Sequence, residues 1–97
     1  MIFRNWVLQN FPFLEDDFDA LTDYELFCKM IEYVKGLSKD NEDFNKRLTE
    51  LENYINNLDL QDEVNNKLDE MAESGELENL IGQYIELATT YVYNNVN

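Results

Sequence analysis

Residues 23–58 read DYELFCKMIEYVKGLSKDNEDFNKRLTELENYINNL, and the spacing of their apolar residues decides the fold class. Phe27, Val34, Asn41, Leu48 and Ile55 recur every seven residues as a positions, and Met30, Leu37, Phe44, Leu51 and Leu58 follow as d positions. Alternating steps of three and four that hold one phase for five heptads are the pattern of a coiled coil. The stripe of a single surface helix is wider and drifts. These ten residues are therefore the expected oligomer interface of a parallel coiled coil, about 54 Å long if the helix runs unbroken. Gly36 and the weakly apolar Lys39-Asp40-Asn41-Glu42-Asp43 offer the alternative of a break near 36–41, dividing a head helix (23–35) from a stalk (41–58). Asn41, polar at an a position, reads as a device for register and oligomer state rather than as a ligand.

Upstream, Thr22-Asp23-Tyr24-Glu25 is a capping box flanked by Leu21 and Leu26 at the staple positions, which starts a helix at about Asp23. Residues 1–21 concentrate Phe3, Trp6, Val7, Leu8, Phe11, Phe13, Leu14 and Phe18. Pro12 biases Phe11 towards an extended conformation, so this segment is expected to be broken rather than one helix. It either folds back on the first long helix or inserts into a partner, with Trp6, Phe11 and Phe13 as the attachment anchors.

Downstream the phase slips at Asn56–Leu60, and Leu60, Val64, Leu68 and Met71 form a new stripe. Asp59 as N-cap and Ser74-Gly75 as stop predict a helix over about 60–74. Leu77, Leu80, Ile81, Tyr84 and Ile85 mark a further helical stretch, making 59–86 a short helical cap that turns back or splays from the stalk. Residues 87–97 turn to β-branched and aromatic residues in alternation, which reads as a short strand and a connector to a missing downstream region. The fold class is all-α: an oligomeric coiled coil (22–58) with short flanking helices, an aromatic N-terminal segment (1–21) and a short C-terminal strand.

Composition narrows the function. The 97 residues carry 21 Asp plus Glu against seven Lys plus Arg, a net charge of −14, with no His and one Cys. Such a field repels phosphate, so nucleic acid and anionic membrane surfaces are not expected partners. Without His there is no His-based nucleophilic pair and no Cys/His zinc site, and a lone Cys28 forms no intrachain disulfide. Glu15-Asp16-Asp17-Phe18-Asp19 is dense in carboxylates but lacks the turn Gly and the distal Glu of a calcium loop, so it reads as a solvated turn. Cys28, beside the seam, is expected to be a small buried hydrophobe. No catalytic residue, metal or cofactor is expected, and no run of about 18 apolar residues suggests a membrane span.

The run Asn57-Leu-Asp-Leu-Gln-Asp-Glu-Val-Asn-Asn-Lys-Leu-Asp-Glu-Met-Ala-Glu-Ser-Gly-Glu-Leu77 after a heptad stretch resembles the N-terminal module of tail-fibre, head-fibre and tailspike proteins from phages of Gram-positive bacteria. Its most specific part is Asn65-Asn66-Lys67-Leu68-Asp69-Glu70-Met71 followed by Gly75. The opening Phe11-Pro12-Phe13-Leu14-Glu15-Asp16-Asp17-Phe18-Asp19-Ala20-Leu21-Thr22-Asp23-Tyr24 is similar to the start of the same module, and Tyr91–Val96 to the lead into a longer fibre region. The resemblance implies a non-enzymatic structural protein of the virion. It would attach to a tail, collar or capsid protein and trimerise for host adhesion. Bulky Phe27 and Phe44 also favour three strands, whereas Ile at a with Leu at d and one a-position Asn favours two, so a dimer is the alternative stoichiometry. Two other readings compete: a non-viral coiled-coil adaptor, and an acidic nucleic-acid mimic that inhibits a basic protein.

Overall fold

The computed structural model describes the backbone of residues 2–17 and 19–96 and the side chains of 2–15 and 19–87. Helix α1 (Ile2–Asn10) is followed by a 3-10 turn (Pro12–Asp17), then α2 (Asp23–Leu37), α3 (Glu42–Asn56), α4 (Gln61–Glu73) and α5 (Glu76–Val96). The described residues are all-helical, with no strand among them. The long axis measures 42 Å and the radius of gyration is 13.1 Å, close to the ~13 Å of a globular chain of about 100 residues. A straight helix over 23–58 would span about 54 Å and does not fit within those limits.

The chain bends because residues 38–41 hold a polar turn. Ser38 N–H donates to the Val34 carbonyl at 2.9 Å, and Asn45 Nδ2 donates to the Ser38 carbonyl at 3.2 Å. The Ser38 hydroxyl lies 2.9 Å from Val34 O and 2.6 Å from Asn45 Oδ1, so the turn is closed by three polar groups. Asn41 Oδ1 accepts the Phe44 N–H at 3.2 Å and caps α3. The alternative of a break near 36–41 is thus the one realised, and Asn41 caps a helix instead of sitting in a seam. An Asn at this place satisfies one of the orphan N–H groups that every helix start leaves open. Beyond the turn α3 returns alongside α2, and Lys35 Nζ reaches Glu52 Oε1 at 2.6 Å between them.

Thr22 caps α2 as the sequence predicts. Its hydroxyl accepts the Glu25 N–H at 3.2 Å, while Glu25 Oε1 accepts the Thr22 N–H at 3.0 Å. Those contacts hold the exposed Glu25 carboxyl below its ordinary pKa. The cap of α4 differs from expectation. Leu60, not Asp59, stands at the N-cap, makes no side-chain cap bond and is 61% exposed. The stop after α4 is the expected one, with Gly75 at φ +83°, a left-handed conformation in which a Cβ is strained. No Gly or Pro interrupts the chain after Gly82, and the α5 backbone runs to Val96. From residue 88 the side chains of the expected connector 87–97 lie outside the described residues.

One core joins all five helices. Phe3 and Val7 of α1, Phe11, Leu26, Phe27, Met30, Ile31 and Val34 of α2, Leu48 and Ile55 of α3, Leu68 and Met71 of α4, and Leu77 and Ile81 of α5 are all essentially inaccessible. Helix α2 lies in the middle of this arrangement, against each of the other four helices.

Candidate functional site

The heptad residues meet different fates. Phe27, Met30, Val34, Leu48 and Ile55 have no exposure in the single chain. Leu37, Phe44, Leu51 and Leu58 are half-buried against the same core, and Asn41 is exposed. The side chains expected to meet copies of themselves instead meet the protein's own α1, α4 and α5. The Phe3 and Phe27 rings pack at 6.3 Å between centroids, and Phe44 packs on Tyr84 at 4.8 Å. A heptad period specifies a narrow apolar stripe but not whether the covering helix belongs to the same chain.

The N-terminal segment folds back. Phe11 is fully buried, so it has no surface to give a partner, and its expected role as an exposed anchor is replaced by a core role. Pro12 breaks the segment as expected: α1 ends at Asn10, whose side-chain amide donates to the Trp6 carbonyl at 2.8 Å, and a 3-10 turn follows. This kink brings the aromatics together. Phe11 lies 6.3 Å from Trp6, 6.1 Å from Phe13 and 6.5 Å from Tyr33, while Phe13 and Tyr33 approach to 4.6 Å. Trp6 and Phe13 remain half-buried and form the accessible edge of this cluster. Edge-to-face and tilted pairs at these separations stabilise beyond their area by about 0.5–1.5 kcal/mol each.

Polar contacts that sequence reading missed fix the other end of α1. Asp69 Oδ1 accepts the Phe3 N–H at 2.8 Å, so a carboxylate of α4 caps the N-terminus of α1 across 66 residues of sequence. That position favours negative charge, because the first N–H groups of a helix are unsatisfied and its dipole is positive there. Arg4 Nε pairs with Asp23 Oδ1 at 2.5 Å, with both side chains largely buried, and Arg4 also donates to the Leu21 carbonyl. Local motifs could not reveal either contact, since each joins residues from separate elements.

Cys28 is half-buried in α2 near Tyr24 and Glu52. Burial is the main cause that raises its thiol pKa above the ordinary value, and the hydrogen bond from Tyr24 opposes the rise. The same bond is the main cause that pushes Tyr24 up to about 12. A desolvated thiol held neutral is a poor nucleophile. Iodoacetamide at pH 8 should modify Cys28 at least about tenfold more slowly in the folded protein than in urea. Equal rates in the two states would contradict the placement of Cys28.

Among the described residues no group of three or more acidic or Cys side chains is arranged to hold a metal ion, and no helix is long and apolar enough to cross a membrane. What the geometry offers is a surface: the Trp6–Phe13 edge and the outer side of α3, on a strongly acidic body. Comparison with known proteins yields no matching family model, no similar curated protein and no similar solved structure.

Proposed function

We propose that the chain is a non-enzymatic structural module of a phage particle, which docks a fibre or spike to a virion protein of the tail, collar or capsid. The observation that carries this reading is the union of the two stretches that resemble such modules. The opening stretch and the run 57–77 are far apart in sequence. Yet Phe11 and Leu14 of the opening are buried in one core with Val64, Leu68, Met71 and Leu77 of the run, and Thr22 and Tyr24 line one groove with Leu58, Gln61, Val64 and Asn65. Two stretches that fold into one unit are what a transferable attachment module requires.

The proposal leaves out the five-heptad trimer seam, because four of its five a positions, Phe27, Val34, Leu48 and Ile55, are buried in the single chain. Attachment is assigned to the partly exposed edge of the aromatic cluster, Trp6 and Phe13, with Phe11 as the buried support behind them. An aromatic anchor of this kind is worth about 2 kcal/mol or more when a partner buries it fully.

Gold-labelled antibody against the chain, viewed by electron microscopy on particles purified from a host that carries the gene, tests the assignment. Label at one fixed place on the virion is the expected result. Its absence from intact particles would overturn the proposal in favour of the adaptor or the nucleic-acid mimic.

A further inference from the structure

Helix α3 carries a second stripe that its own core covers only in part. Phe44, Arg47, Leu51, Tyr54 and Leu58 also follow steps of three and four, rotated about 60° away from the buried Leu48 and Ile55. This outer side is open. A groove of about 570 Å³ runs beside it, lined by Phe44, Arg47, Glu50 and Leu51 and, from α5, Leu80. Tyr54 is 52% exposed, with Lys67 Nζ 5.9 Å from its ring centroid. A large exposed aromatic in register with half-buried Phe44 and Leu51 is a stripe without its covering helix.

We infer that the covering helix is α3 of a second copy, packed antiparallel about a two-fold axis near Thr49. In this arrangement the pattern is complementary to itself. Phe44 of one copy comes level with Tyr54 of the other, and the aliphatic stem of Arg47 crosses Leu51. The Arg47 guanidinium meets Glu50 of the second copy, and the two-fold axis makes each contact twice. A parallel pairing would set Arg47 beside Arg47 and Glu50 beside Glu50. The contact is one helix face about 15 Å long between Phe44 and Tyr54, so it is a small interface and a weak dimer. At about 0.15 M salt, screening over roughly 8 Å limits the repulsion between two chains of charge −14. This surface is separate from the Trp6–Phe13 edge and does not depend on the attachment reading.

Sedimentation equilibrium of the full chain at about 10 µM to 1 mM should show a monomer–dimer equilibrium. Leu51→Glu and Arg47→Glu should each weaken it at least about tenfold, and Arg47→Glu combined with Glu50→Arg should restore it to within about threefold. All three side chains are exposed or half-buried, so unchanged far-UV circular dichroism and melting temperature confirm that the fold persists. A strict monomer at 1 mM would overturn the inference. So would an assembly indifferent to these substitutions, or a charge-swapped variant that stays as weak as Arg47→Glu.

Discussion

Phe27→Ala should destabilise the protein by about 3–5 kcal/mol, enough to leave a domain of this size largely unfolded at 37 °C. The ring has no exposure and packs against Phe3 of α1, in the middle of the core that α2 shares with the other helices. Its removal takes away both the transfer energy of a large side chain and the contacts of the walls around the void. Urea titration followed by circular dichroism measures the effect. If Phe27 instead lay in an interchain seam, the loss would depend on protein concentration and fall as concentration rose. A concentration-independent loss is the expected outcome.

Arg4→Met should cost about 3–5 kcal/mol, because it strands the carboxylate of Asp23 in a site where only 6% of that residue is exposed. The variant that also changes Asp23 to Leu should recover most of the loss, since replacing both partners of a buried pair with apolar groups is often neutral. Asp23 stands in the first turn of α2, so a residual cost of a few tenths of a kcal/mol for losing negative charge at a helix start is expected in the double variant. Chemical denaturation of both single variants and the double variant gives the coupling directly. Additive losses would show that Arg4 and Asp23 do not depend on each other.

Local chemistry was legible in the sequence wherever neighbouring residues decide it. The Thr22–Glu25 box, the break at Pro12 and the Gly75 stop need only three or four adjacent residues, and each lies where the pattern put it. Residues 36–41 were legible as a place of weakness. That weakness became a turn because Ser38, Asn41 and Asn45 can pair with backbone and with one another. The partner of the apolar stripe was not legible. Leu48 and Ile55 need a helix to cover them, and sequence period does not reveal which chain supplies it.

The candidate site shows the same division. The density of aromatics in residues 1–21 pointed to a segment that must be covered or must cover something. Its direction was set by contacts invisible to local reading, Asp69 on the Phe3 N–H and Arg4 on Asp23. Phe11 is buried against Trp6, Phe13 and Tyr33, and Trp6 and Phe13 stay half-buried at the rim. On α3 the exposed Tyr54 completes an outer stripe that the dominant heptads conceal, because Phe44, Leu51 and Leu58 belong to both.

The central claim is that the heptad residues form the core of a single chain, whether or not copies associate through other faces. An isotope-filtered nuclear Overhauser measurement tests it most directly, on a sample mixed from fully labelled and unlabelled protein. The fold requires the Phe3–Phe27 and Phe44–Tyr84 contacts to appear only within a chain, with no interchain signal from Phe27, Val34, Leu48 or Ile55. Interchain contacts among those four side chains, with the Phe3–Phe27 contact missing within the chain, would contradict it.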